Sequence, residues 1–520
     1  MLRKIRLTLA ILFFACITLL FLDFTGSIHL WLGWMAKIQF LPALLGLNLG
    51  IVALLVVLTL LLGRVYCSVI CPLGVFQDIV PWLNSRRKKK QKYRFSYSPA
   101  LSWLRYTMLG VFIVALVAGI GSLAALLAPY SSYGRIASNF FAPVYRWGNN
   151  LLAYFAERAD SYAFYETDVW LKSLPTFLIA LVTLVVIVVL AWRNGRTYCN
   201  TICPVGTVLG FLSRFALFRI TIDADKCNAC GLCSRQCKAA CIDSKTHRVD
   251  YSRCVACMDC IDTCKHDAIH YRLATSLPKA PAQSQSVPSS KKGAEDATRR
   301  SFLTATALVA TTALVKAQEK KVDGGLATIE DKKIPNRLTP ILPPGAQSAR
   351  HFAQHCTGCQ LCVSACPNGV LRPSTDLMKL MQPESSYERG YCRPECKRCA
   401  EVCPTGAIRL ADLAEKSATQ IGHAVWVKQN CVVLTDGVEC GNCARHCPTG
   451  AIQMIPLPGH HRHRHRGGHE DGNNEQASSS LLIPAVNAER CIGCGACENL
   501  CPARPFSAIY VEGHEVQRTI

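Results

Sequence analysis

The chain has 520 residues, half of them hydrophobic, with 30 cysteines and a formal charge of +22. Its apolar content excludes a disordered chain, its length excludes a small disulfide-stapled scaffold, and it has room for two to four domains of about 100–200 residues. Positive mean hydropathy beside strong basic charge fits a membrane protein with basic loops.

In chain order, four uncharged stretches come first: residues 7–22, 39–62, 106–134 and 174–192. Each reaches or approaches the roughly 20 apolar residues that a spanning helix needs. Arg3, Lys4 and Arg6 precede the first stretch, and Arg64, Arg86, Arg87, Lys88, Lys89, Lys90, Lys92 and Arg94 follow the second. The loop after the first holds only Lys37, and the loop after the third balances its charges. The N-terminus, the basic loop and the chain after Trp192 are therefore expected on the cytoplasmic side. The partner expected for that loop is anionic lipid, with no nucleic acid.

The membrane part repeats itself. Arg64-Val-Tyr66-Cys67-Ser-Val-Ile70-Cys71-Pro72-Leu-Gly74 returns 132 residues later as Arg196-Thr-Tyr198-Cys199-Asn-Thr-Ile202-Cys203-Pro204-Val-Gly206. Residues 1–215 thus read as a four-span domain of two parallel repeats. A single Cys-x3-Cys pair is readily a packing feature. Two equivalent pairs argue for redox or metal chemistry, with Cys67, Cys71, Cys199 and Cys203 as redox candidates. Cys16 reads as packing.

Residues 216–274 form a first cysteine-rich domain. Cys227, Cys230, Cys233 and Cys237 have the Cys-x2-Cys-x2-Cys-x3-Cys spacing of a cubane [4Fe-4S] run, and Cys254, Cys257, Cys260 and Cys264 repeat it. In such runs three thiolates grip one cube and the fourth reaches the other. One cluster then takes Cys227, Cys230, Cys233 and Cys264, and the other Cys254, Cys257, Cys260 and Cys237. A zinc site would instead separate two ligand pairs by a dozen or more residues. Lys238 and Lys265 stand where such runs have proline, and Cys241 is an extra thiol that competes with Cys237 as ligand.

Residues 275–297 are rich in Pro, Ser, Gln, Ala and Lys and read as a flexible linker. Residues 298–317 follow, with Arg299-Arg300-Ser301-Phe302-Leu303 before a short apolar run, and resemble a twin-arginine export signal. Cleavage after Ala317 and retention as a fifth span at 302–315 are both open.

Residues 340–520 carry sixteen cysteines in four sets: Cys356, Cys359, Cys362 and Cys366; Cys392, Cys396, Cys399 and Cys403; Cys431, Cys440, Cys443 and Cys447; Cys491, Cys494, Cys497 and Cys501. Each set has three near ligands and a last cysteine before proline, which argues for four further cubanes rather than disulfides. The His-rich insertion at 459–480 reads as a solvated loop, with Ni, Cu or Zn binding as the alternative.

The fold class expected is multidomain: an α-helical membrane domain with α+β ferredoxin-like modules. Residues 1–275 resemble the NapH-type membrane ferredoxins of periplasmic nitrate reductase systems, and residues 298–520 resemble the NapG/MauM-type exported ferredoxins, so the chain looks like a fusion of the two. That resemblance implies a quinol dehydrogenase of the bacterial inner membrane, with residues 193–297 cytoplasmic and 318–520 periplasmic. It implies that menaquinol or ubiquinol is oxidised and that electrons pass through six clusters to a periplasmic reductase or its cytochrome subunit. Resemblance to four-cluster ferredoxins implies that the first C-terminal set exchanges its last cysteine with the fourth, and the second with the third. Arg64, Tyr66, Arg196 and Tyr198 are candidates for the quinol site by their nearness to the repeated motif. The alternative is a metallocentre-assembly or metal-reducing ferredoxin serving a periplasmic copper or molybdenum enzyme.

Overall fold

The computed structural model describes residues 1–85, 95–273, 330–457 and 481–520. The basic loop at 86–92, the linker, the export signal and the His-rich insertion lie outside the described residues.

Two helices, Leu2–Leu22 and Leu174–Asn194, are long and apolar enough to cross a membrane. Most of each faces outward: Ile11 is 58% exposed and Val182 61%. Exposed apolar area on that scale marks a partner surface or a membrane. The expected second and third spans are not single helices. Residues 39–62 divide into Phe40–Leu45 and Leu49–Leu62, because the chain turns at Leu47 with φ 54°. Residues 106–134 divide into Ser102–Val117, Gly121–Leu127 and part of Pro129–Ile136. Gly119 at φ 73° makes the first break. Pro129, with no N–H to give, opens the last helix. Beyond it, Ala142–Arg158 is a helix that hydropathy alone did not suggest, with its exposed face carrying Trp147, Leu151 and Phe155.

The repeat is structural as well as sequential. Leu49–Leu62 stops at Gly63 (φ 75°) and Leu174–Asn194 stops at Gly195 (φ 67°). A side chain at Gly195 would strike the Lys238 carbonyl at 2.2 Å. After each glycine comes one short helix, Val65–Val69 or Thr197–Thr201, then a helix opened by proline, Pro72–Ser85 or Pro204–Leu212.

The first ferredoxin unit closes strand Phe218–Ile222 against Ile269–Leu273, antiparallel, around helices Leu232–Gln236 and Asp259–Thr263. The C-terminal unit pairs Thr419–Trp426 with Ile509–Thr519 and adds two further antiparallel pairs. The two units sit at opposite ends of the first helix. At its start, Arg3 meets Asp259 at 2.9 Å and Asp262 at 3.1 Å. Just past its end, Arg398 of the C-terminal unit donates to the Thr25 carbonyl. Phe21, Tyr130 and Tyr133 share one buried core with Phe352, Leu361 and Cys362, so that unit is packed directly on the helices.

Candidate iron–sulfur sites

The tight ligand runs share one backbone device. The second and fourth residues after the first cysteine take positive φ: Ala229 and Gly231, Ala256 and Met258, Gly358 and Gln360, Gly493 and Gly495. Alternation of this kind turns successive N–H groups inward and forms an anion-binding nest, a geometry that suits iron–sulfur clusters. The third cysteine of each run lies in the short helix that follows, and the fourth stands just past its end. The residues therefore fit the cofactor that their spacing suggests.

In the first unit, Cys227, Cys230, Cys233 and Cys264 line one cavity, the set read from the sequence. Cys237 lies within electrostatic reach of Cys257 and Cys260. The extra thiol stands beside it: Cys241 Sγ is 3.5 Å from Cys237 Sγ and also bonds Cys254. The hydrogen bond from Cys241 lowers the Cys237 thiol to about 7, against the opposing effect of burial.

In the C-terminal unit the triplets stand as expected and the remote partners do not. Cys403 lines one cavity with Cys356, Cys359 and Cys362. Cys366 joins Cys392, Cys396 and Cys399. Cys501 joins Cys431, Cys440 and Cys443. Cys447 lies within reach of Cys491 and Cys494. So the first set exchanges with the second and the third with the fourth, which overturns the expected pairing of first with fourth and second with third. The physical reason is local packing: helix Leu361–Ala365 lies against Arg398–Val402, and Asn442–Arg445 against Ala496–Leu500, and each neighbour supplies the returning cysteine.

Lys238, which replaces the usual proline, has a structural role. Its ammonium is 3.1 Å from Asp259 and 3.8 Å from Asp78, and its carbonyl accepts from Arg196 N at 2.8 Å. Lys238 thereby ties the first ferredoxin unit to the helices.

The repeated motifs meet each other. Arg196 Nη1 donates to the Cys67 carbonyl at 2.6 Å, and Arg64 Nη2 donates to the Cys199 carbonyl at 3.3 Å. Each arginine thus serves the other copy's motif. Gln77 Nε2 donates to Cys199 Sγ at 3.2 Å. Cys67, Cys71, Cys199 and Cys203 are all buried. The four residues expected near quinol are also buried inside protein: Tyr66 bonds Gln39 and the Phe40 N–H, and Tyr198 donates to the Leu127 carbonyl. A cavity of about 350 Å³ lies beside them instead, lined among others by Leu101, Arg193, Asn200, Ala240 and Arg253.

A 4Fe-4S binding domain matches residues 44–91 and 176–222, and a second such domain matches 247–270. 4Fe-4S dicluster domains match residues 355–408, 391–451 and 437–505. The methylamine utilization ferredoxin-type protein MauM of Paracoccus denitrificans is 30% identical over 180 residues, 34% of this chain and 73% of the relative. The ferredoxin-type protein NapF of Escherichia coli is 26% identical over 174 residues, 34% of this chain and 87% of the relative. The putative electron transport protein YccM of Escherichia coli is 24% identical over 228 residues, 43% of this chain. The chain spans 55% of YccM, and 41% of an uncharacterised Methanocaldococcus jannaschii protein that is 30% identical over 103 residues. No solved structure matches.

Proposed function

Because the chain belongs to the MauM family of ferredoxin-type proteins, iron–sulfur proteins of electron transfer, we propose that it oxidises quinol at a membrane and passes the electrons to a periplasmic reductase or its cytochrome subunit. The same proposal includes four crossings in a multi-pass inner-membrane domain, a cytoplasmic two-cluster unit and a periplasmic four-cluster unit. Its proposed ligands are the six cysteine sets described above, grouped as they share cavities.

The observation that carries this reading is the position of the two ferredoxin units at opposite ends of the helix Leu2–Leu22. At 1.5 Å per residue that helix is about 30 Å long, the thickness of a hydrocarbon core. Bound clusters supply one-electron transfer, tuned by burial and by hydrogen bonds to sulfur. The chain's own residues bury or partly bury every cluster cysteine except Cys230, and they turn backbone N–H groups toward the tight runs.

The 350 Å³ cavity is the candidate site for the quinol head group. Its volume is in the range of small-molecule pockets. It adjoins Asn200, next to Cys199, and Ala240, between Cys237 and Cys241. The test is reduction in nanodiscs: a menaquinol analogue given anaerobically to the purified chain should raise the cluster EPR signals. Clusters that stay oxidised with the analogue bound, yet respond to dithionite, would overturn quinol as donor.

A further inference from the structure

Each copy of the repeated motif offers two cysteines, too few to hold a cubane. The fold brings the two copies together. Cys71 lies within electrostatic reach of Cys199 in the other copy as well as of Cys67, its own motif partner. Cys203 feels Cys199, Cys71 and Cys67. The four thiols thus form one group that neither repeat contains alone. Arg64 Nη2 spans the junction, reaching Cys67 Sγ at 3.7 Å in one copy and the Cys199 carbonyl at 3.3 Å in the other.

Arg64 supplies the second observation. It is wholly buried, and among the described residues no carboxylate pairs with it. Its partners are Asn200 Oδ1 at 2.9 Å, the Ser252 carbonyl at 3.1 Å and the groups just named, and its Nε has none. A buried guanidinium without a counter-ion is costly, so an anion belongs beside it. Arg196, in the equivalent position, has Asp78. The N–H groups at the junction already point at sulfur: Gln77 Nε2 to Cys199 at 3.2 Å, and Gly206 N to Cys203 at 3.3 Å from the first turn of Pro204–Leu212. Donors of this kind stabilise thiolates and set cluster potential.

We infer that Cys67, Cys71, Cys199 and Cys203 together hold one [4Fe-4S] cluster, a seventh, shared between the two membrane repeats. It rests on the ferredoxin-type reading and is independent of quinol as the donor. Arg64 balances the charge of the thiolate-bound cube, and the two-fold repeat exists to build the site.

The experiment counts iron in the full-length chain, purified anaerobically in nanodiscs and reconstituted with iron and sulfide. Seven cubanes give about 28 iron atoms per chain, six give about 24. Cys67→Ser, Cys203→Ser and the double variant should each lose about four irons and the same single cluster signal by Mössbauer and EPR spectroscopy. The signals of the other clusters show that the variant has folded, and Cys16→Ser, which alters a packing cysteine, should lose none. An unchanged iron count in the variants, a double variant that loses twice what each single loses, or zinc or copper on these thiols would overturn the proposal. The wild-type cluster count decides alone where a variant loses more than one cluster. A total below about 24 with the same four-iron difference would instead count against the six-cluster reading.

Discussion

Arg196 meets Asp78 through two parallel hydrogen bonds, Nε to Oδ1 at 2.9 Å and Nη2 to Oδ2 at 2.7 Å. Arg196 is wholly buried, and Asp78 also faces Arg6 at 3.2 Å and Lys238 at 3.8 Å. Burial opposes ionisation of Asp78, but these cations outweigh it and hold the carboxyl well below its usual range. Removing one partner of such a pair leaves an uncompensated charge, at a cost of about 3–5 kcal/mol. Asp78→Ala should therefore lower the thermal midpoint markedly and loosen the first ferredoxin unit, read by limited proteolysis after Leu217. Asp78→Glu should recover part of the loss. An unshifted midpoint in Asp78→Ala would show that the network does not hold the unit.

The cysteine exchange makes a sharp prediction. Cys366 and Cys392 line one cavity, so Cys366→Ser, Cys392→Ser and the double variant should lose the same cluster, about four irons each. Under the pairing of first set with fourth, the double variant would lose about eight. Cys501→Ser and Cys431→Ser should behave as a second such pair, because they too share a cavity. EPR spin counting on the singles and doubles distinguishes the two wirings.

The contrast between triplets and remote ligands shows what was legible. Cys227, Cys230 and Cys233 sit in one loop, so spacing alone brings them to one site. Which loop returns Cys403 or Cys501 depends on which short helices pack together, and no local pattern records that. The repeat around Cys67 and Cys199 was legible as a repeat, but the contact between its copies runs through Arg64 and Arg196, 132 residues apart. Apolar runs located the helices but not their breaks: mean hydropathy averages over the turn at Leu47, where Asn48 caps the next helix, and over the turn at Gly119. Lys238 looked like a missing proline in the sequence. Its purpose appears only with Asp78 and Asp259 beside it.

His514 offers a pH test in the C-terminal unit. Its Nε2 is 2.9 Å from His423 Nδ1, across the strand pair that closes the unit. Burial, then the charges of His423 and Arg518, lower its pKa from the ordinary 6.5. As pH falls through 6.5 the unfolded chain takes up the proton before the folded chain does, so stability falls until the folded pKa is passed. The melting temperature of the wild type should therefore drop between pH 7 and pH 5, and His514→Gln should reduce that slope. An equal slope in both would remove His514 as its source.

The cavity beside Asn200 can be closed without touching a cluster cysteine. Thr201 lines it, and Thr201→Phe would fill part of its 350 Å³. If the quinol head binds there, KM for a menaquinol analogue should rise by about tenfold, the equivalent of about 1.4 kcal/mol, while iron content stays constant. A changed iron count would mean the substitution disturbs the neighbouring thiols. An unchanged KM would move the quinol site elsewhere.

The direction of electron flow depends on which face each ferredoxin unit occupies. A reporter fused after Lys88 should be cytoplasmic and one after Gly459 periplasmic, by the excess of Lys and Arg before Phe95. The fold adds an internal constraint, because Arg3 binds the first unit and the Phe21 end of the same helix packs on the second. The two reporters must therefore give opposite signals if that helix crosses the membrane. Matching signals would mean that Leu2–Leu22 lies on one side, and both its exposed face and the wire between the units would need another partner.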